Sequence, residues 1–375
     1  MTKVFHIRAL NSPNGDFREV ELDLPATDYV LLDAMEQLRL EDGKRPYLEF
    51  HAAEEYDYLN KRIQEADIFR LNALAKQLAE LDMRGMAVFE GLVCMAIRKG
   101  GGTIPIGSLI DYAYSGECCH VVEDILTDEE LGVFLVENGF IPEAEDLSDK
   151  ALELLDCTRI GKTHREAKGG AFTSFGYVER HSELCQVYKT LDFTPKQPAH
   201  TILAATFDGD RVAFPFPANI PMGTEPVCCL DCAVPSLIGL TGGMETVDLL
   251  ARRLANMNGK DLCKFKALAE AVCCRDLSQA ERLLSTLEEY LFSPEYRTPA
   301  EAAEGELAIM LDERAAALIR KHLNLQRYGE DLLRQRNTVL TSYGLIERRD
   351  GQPMQSVEVQ PAQGGMEGVI GMGTA

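Results

Sequence analysis

Long apolar runs are missing from this chain of 375 residues, and with them any segment that reads as a bilayer-spanning helix. Its opening residues, MTKVFHIRALNSPNGDF, lack a basic region followed by an apolar core, which predicts no signal peptide and a cytoplasmic location. Basic residues are scarce. The chain holds 60 acids against 38 lysines and arginines, a net charge of −22, and no base at all between Gly100 and Asp149. A nucleic-acid binder neutralises phosphate with Lys and Arg, and an anionic membrane surface attracts bases, so the charge argues against both partners and permits a basic one.

Recognisable catalytic spacing is also absent. The seven histidines are scattered, with no HExxH and no G-x-S-x-G, and His181 in "HSE" reads as a surface residue after a strand. The eleven cysteines are an odd number in a large chain, which fits reduced, buried thiols better than a disulfide scaffold. The tightest group, "CCLDC" at Cys228 to Cys232, has no second pair of zinc spacing; Cys273 and Cys274 are adjacent. "RIGKTH" ends like a phosphate loop, but the glycine such a loop needs is Asp156, and a helical "ALELLD" precedes it. The glycine-rich "KGGGTIPIG" from Lys99 reads as a flexible interdomain loop. These readings predict no enzyme, no cofactor and no metal.

What is present is unevenly placed charge. Through Lys196 there are 36 acids against 21 bases; the remainder has 24 against 17. Between Asp111 and Asp156, Lys150 alone opposes 14 acids. Thr127 and Glu130 form a capping box ahead of "LGVFLVEN", so Asp128, Glu129 and Glu130 suit the positive end of a helix, and Gly139 can close it. Ser148 can cap a second short helix, which accommodates Asp149 in its first turn. That local account leaves out Glu123, Asp124, Glu137, Glu143, Glu145 and Asp146. A solvated face usually mixes signs, because like charges repel. A row of carboxylates can instead imitate the phosphates of B-DNA, which carries a charge every ~1.7 Å of axis.

An internal repeat organises the chain. "RIGKTHREAKGGAFTSFGYVER" (159–180) aligns without a gap on "RYGEDLLRQRNTVLTSYGLIER" (327–348). "LNALAKQLAELDMRGMAVF" (71–89) aligns on "VDLLARRLANMNGKDLCKF" (247–265), and "LDLPAT" from Leu22 resembles "FPFPAN" from Phe214. The pattern predicts a hairpin over Lys3–Leu10 and Phe17–Leu24, an amphipathic helix through Leu71, Leu74, Leu78 and Leu81, and a strand in "AFTSFGYVER". The expected divisions are 1–62 (α+β), 63–104 (helical), 105–196 (acidic α+β), 197–350 (second, partial copy) and a disordered tail over 351–375.

The segments "VFHIRALN", "LDLPAT", "DIFRLNALAKQLAEL", "DEELGVFLVENG" and "GGAFTSFGYVER" resemble the ArdA antirestriction family of conjugative elements, as does "RYGEDLL" with "NTVLTSYGLIER" in the second copy. The resemblance implies an elongated α+β chain of small modules with short antiparallel sheets, here internally duplicated, whose acidic surface mimics bent DNA. It further implies a non-enzymatic inhibitor that occupies the DNA groove of the methyltransferase–specificity core of type I restriction-modification enzymes. The phosphate-mimicking positions would be Glu41, Asp42, Glu54, Glu55, Asp57, Asp111, Glu117, Glu123, Asp124, Asp128, Glu129, Glu130, Glu137, Glu143, Glu145, Asp146 and Asp149. Family members often act as dimers, so a homodimer and an intrachain pseudo-dimer are both open. This chain is longer than typical members, and its second copy, with Arg252, Arg253, Lys260, Lys264 and Lys266, is only mildly acidic. Other readings stand beside this one: an inhibitor of a different DNA-targeting defence such as CRISPR, an acidic adaptor for a basic protein, and a hydrolase using clustered carboxylates with a divalent ion.

Overall fold

The computed structural model describes residues 2–12, 18–40, 43–144, 148–152, 154–206, 213–218 and 225–354, the side chains of 149 and 150 excepted. Expectations for the hairpin turn at 13–17 and for the tail at 355–375 lie outside these residues. The fold is mixed α+β, built of helices and short sheets, and contacts divide it into two units, Met1–Gln197 and Pro198–Ala375. Among the described residues no helix is long and apolar enough to cross a membrane.

In the first unit, β1 (Phe5–Leu10) pairs antiparallel with β2 (Glu19–Leu24) and with β3 (Tyr47–Ala52), giving the order β2-β1-β3. Helix α1 (Asp28–Leu38), capped by Thr27, links β2 to β3. A parallel pair of two-residue strands, β4 (Ile63–Gln64) and β5 (Ile104–Pro105), brackets α2 (Ile68–Leu78) and α3 (Met83–Gly100), and α4 (Ile106–Ala113) follows. The apolar faces of these elements bury Phe5, Leu31, Leu71, Phe89 and Leu109 in one core, which draws on the expected segments 1–62, 63–104 and 105–196 alike. "KGGG" is not the flexible linker expected. Its first two residues end α3, Gly101 adopts the left-handed conformation that closes the helix, and Ile104 returns at once to pair with Ile63.

The unit ends with β6 (Cys119–Glu123), α5 (Asp128–Glu137), the short α6 (Asp149–Leu152), α7 (Cys157–Lys168), β7 (Ala171–Phe172) and β8 (Gly176–Arg180), the sheet running β6-β8-β7. "AFTSFGYVER" is therefore a hairpin and not one strand. Thr173 Oγ1 donates to the Gly176 carbonyl across the turn (2.9 Å), and Gly176 sits at φ +150° against the Val122 carbonyl, where a Cβ would not fit. "RIGKTH" lies inside α7, which Asp156 caps.

The second unit opens on a sheet of β9 (Ile202–Thr206), β10 (Ala213–Phe216), β11 (Pro226–Cys232) and β12 (Thr241–Gly243), ordered β10-β9-β11-β12. Cys229 and Cys232 on β11 are buried in its core. Then come α8 (Met244–Ala255), α9 (Gly259–Val272), α10 (Leu277–Ser285), β13 (Tyr290–Ser293), α11 (Pro299–Met310), α12 (Glu313–Arg320), α13 (Leu325–Arg336), β14 (Val339–Thr341) and β15 (Gly344–Arg348), with the closing sheet ordered β13-β15-β14.

From α2 onward the helices and from β6 onward the strands follow the same order in both units, and details coincide. Asn72 on α2 and Asp248 on α8 are buried and accept hydrogen bonds from the backbone N–H groups of Ala26 and Ala218 (2.7 Å each). Thr341 Oγ1 donates to Gly344 as Thr173 does to Gly176. Gly161 of α7 meets the Asp128 carbonyl at the start of α5, and Gly329 of α13 meets the Pro299 carbonyl at the start of α11. The glycine of the repeated R-x-G thus lets a helix backbone approach its partner in each unit. These coincidences set Thr127 opposite Thr298 as helix caps and Tyr177 opposite Leu345, and so equate positions across the two units.

Candidate functional site

The acidic stretch folds as the end of β6, the turn into α5, α5 itself and the turn after it. Pairing of Glu123 with Gly176 puts that carboxylate at the sheet's edge, and it is exposed. Asp124 follows at φ +61°, its N–H bonded to the Phe175 carbonyl (3.2 Å). Asp is among the few side chains that tolerate this left-handed backbone, so part of the reason for an acid here is conformational. Arg84 lines the same shallow depression as Glu123 and Asp124.

The first turn of α5 divides by role. Glu130 completes the capping box with Thr127: its carboxylate accepts from the N–H groups of Leu126 (2.8 Å) and Thr127 (2.9 Å), which hold it below the usual carboxylate range. Asp128 receives two bonds from Arg165 on α7, from Nε at 2.7 Å and from Nη2 at 2.9 Å. Chiefly through that hydrogen bond, Arg165 lowers the Asp128 pKa, and its guanidinium also lies over the Phe172 ring at 5.4 Å. Glu129 points to solvent with no hydrogen-bond or ion partner among the described residues.

The Asp128–Arg165 pair carries a pH signature. Its carboxyl titrates lower in the folded chain than in the unfolded one, so the stabilisation is complete above the unfolded pKa of about 3.9 and disappears as pH falls through the folded value. Asp128→Asn is expected to cost about 1–3 kcal/mol at neutral pH, since both groups are about four-fifths covered. The difference between the variant and the parent should shrink as pH falls through the folded value; thermal denaturation followed from neutral pH into acid measures this.

Several other carboxylates lack such roles. Glu137 occupies the last turn of α5, where a negative charge faces the negative helix end at a cost of about 0.3–1 kcal/mol, and no base shares that turn. Glu117, Glu143, Glu54 and Glu55 are exposed on 3₁₀ turns without partners among the described residues. Asp57 accepts from Asn60 Nδ2 (2.6 Å). Asp111 is half-buried and structural, its Oδ1 accepting the Tyr188 N–H (2.8 Å). Glu41, Asp42, Glu145, Asp146 and the Asp149 side chain lie outside the described residues.

Two features escaped the sequence reading. Helix α7 carries Arg159, Lys162, His164, Arg165 and Lys168 and packs on α5, so the acids are partly opposed in space. Counting charge only as far as Asp156 stopped just short of those bases. His120 and His181 also stack, their ring centroids 4.1 Å apart. In the second unit, Lys266 is buried, with its ammonium over the Tyr343 ring at 5.6 Å, while Arg252 and Arg253 pair with Asp248 and Glu281. No group of three or more His, Cys, Asp or Glu able to hold a metal occurs among the described residues.

Equating the units separates charge from scaffold. The capping acid is kept: Glu301 accepts from the Arg297 N–H (2.6 Å) as Glu130 does from Leu126. Glu288 and Glu295 stand where Glu117 and Asp124 do. In contrast, Glu123, Glu129 and Glu137 are matched by Pro294, Ala300 and Ala308. The second unit forms the same elements without those three charges. No family model matches this chain, and no curated protein matches it.

Proposed function

We propose that the chain is a non-enzymatic DNA mimic that inhibits type I restriction-modification enzymes by occupying the DNA groove of their methyltransferase–specificity core. The observation that carries this reading is the set of exposed carboxylates, Glu123, Glu129, Glu137 and Glu143, that the fold does not use; the positions equivalent to the first three carry no acid in the second unit. Such charges release the counter-ions of a basic groove and speed encounter at low salt. On the same reading the two units descend from a duplication, the second serving as a pseudo-dimeric partner or an assembly module, and the protein acts in the cytoplasm of cells that receive a mobile element.

The test is binding to a purified methyltransferase complex. Affinity should fall steeply between 50 and 200 mM salt, by roughly a hundredfold or more, and duplex DNA should displace the protein. Binding that is equal at both salts, or indifferent to DNA, would sink the reading.

A second reading has its own support. Leu126, Val133 and Phe140 are exposed apolar side chains set among the acids, at 49%, 38% and 59%. They suit an acidic adaptor gripping a basic protein through apolar contacts, for which complex formation survives high salt and ignores DNA.

A further inference from the structure

One space is filled in the first unit and open in the second. Between the α5–α7 pair and the sheet β6-β8-β7, the first unit packs Leu131, Leu135 and Tyr177, all nearly inaccessible, in a small closed core. The equivalent residues between α11, α13 and β13-β15-β14 are Ala302, Glu306 and Leu345. Each is smaller or polar, and a cavity of about 290 Å³ remains. A packing defect would be lined by apolar atoms; here a carboxylate has replaced a core leucine.

The polar groups of the cavity are rearranged to match. In the first unit Glu179 is held by His164 Nε2 at 2.7 Å and faces Lys168 Nζ at 3.9 Å. In the second unit the equivalent carboxylate is Glu347, and the histidine has become Leu332. The second cation, now Arg336, pairs instead with Glu306 at 2.5 Å. Among the described residues Glu347 is left with one hydrogen bond, from Thr338 Oγ1 (2.8 Å), and no ion pair. Glu295 stands on the rim, also without an ion partner. The lining therefore carries three carboxylates against one guanidinium, with Leu332, Leu333 and Leu345 as apolar wall.

We propose that this cavity binds a small aliphatic amine, its ammonium on Glu347 and its methylene chain along the three leucines. An anion would face a net negative lining. A hydrated divalent ion would have to shed water against leucine side chains, which offer it no ligands. An alkyl ammonium answers both features, as a charge-assisted bond to a carboxylate in a part-buried site and apolar area removed from water. The proposal is independent of the inhibitor reading.

The probe is 1,4-diaminobutane, titrated calorimetrically into the full chain with butyrate as control. Saturable binding at one site is expected, with none for butyrate. Glu347→Gln should weaken it by about tenfold or more, and Ala302→Leu, which restores the Leu131 side chain of the first unit, should abolish it while thermal stability holds or rises. The Gln variant keeps shape, so loss of binding there does not arise from unfolding. Uptake that never saturates and is unchanged by Ala302→Leu is counter-ion attraction to the acidic surface and overturns the proposal, as does no uptake at all.

Discussion

Reversing Glu123, Glu129, Glu137 and Glu143 to lysine is expected to weaken binding to the methyltransferase complex by about a thousandfold or more, with the fold intact. Four carboxylates in a basic groove account for four released counter-ions each way, and lysines there add repulsion where attraction stood. All four are exposed and without partners among the described residues. At the positions of the first three the second unit carries a proline and two alanines. Lysine at 137 should even favour α5, by roughly 0.3–1 kcal/mol, because a cation suits a helix C-terminus. Asp124 is left untouched because its backbone is left-handed, Glu130 because it closes the capping box, and Asp128 because it holds Arg165. Circular dichroism and thermal denaturation should overlay the parent, and the remaining affinity should depend less on salt. A variant that folds and inhibits undiminished would remove these side chains from the interface and with them the mimicry reading.

The legible parts of the fold are those written in short-range chemistry. The helix through Leu71, Leu74 and Leu78, which ends before the expected Leu81, and the Thr127–Glu130 capping box follow from spacing within one or two turns. Strand content in "AFTSFGYVER" was also readable, but not its division into β7 and β8, which depends on Gly176 turning against the Val122 carbonyl of a strand some fifty residues earlier. The same limit applies to the site. An acid in the first turn of a helix has a ready local reason, and Asp128 also has a distant one in Arg165, a partner 37 residues away. Charge counted along the chain overstated the isolation of this face, since α7 brings its bases against α5. What spacing could not supply, comparison of the units does: Glu301 keeps the role of Glu130, whereas Ala300 and Ala308 discard the charges of Glu129 and Glu137.

Gly161→Ala and Gly329→Ala should each destabilise the protein by about 3 kcal/mol or more, against the sign that helix propensity alone would give. In the middle of a solvated helix, alanine in place of glycine stabilises by roughly 0.8–1 kcal/mol. Gly161 and Gly329 lie within α7 and α13 and are buried, and a Cβ on either would overlap a backbone carbonyl oxygen, of Asp128 or Pro299. A carbonyl at the start of a capped helix cannot swing aside as a side chain can, so the helices must part, and overpacking of this kind costs more than propensity returns. The two variants differ in what else they disturb. Parting α5 from α7 strains the Asp128–Arg165 pair and displaces Glu129 and Glu137, so Gly161→Ala should reduce inhibition as well as stability. Parting α11 from α13 alters the walls that Ala302 and Leu333 give the cavity of the second unit, so Gly329→Ala should weaken amine binding instead. Denaturant titration of both variants reads the sign directly. A gain in stability from either would mean that its helix pair does not pack backbone to backbone, and the shared R-x-G would then need another cause. A loss from both ties that motif to helix packing and leaves the charge around it, which differs between the units, free to serve binding.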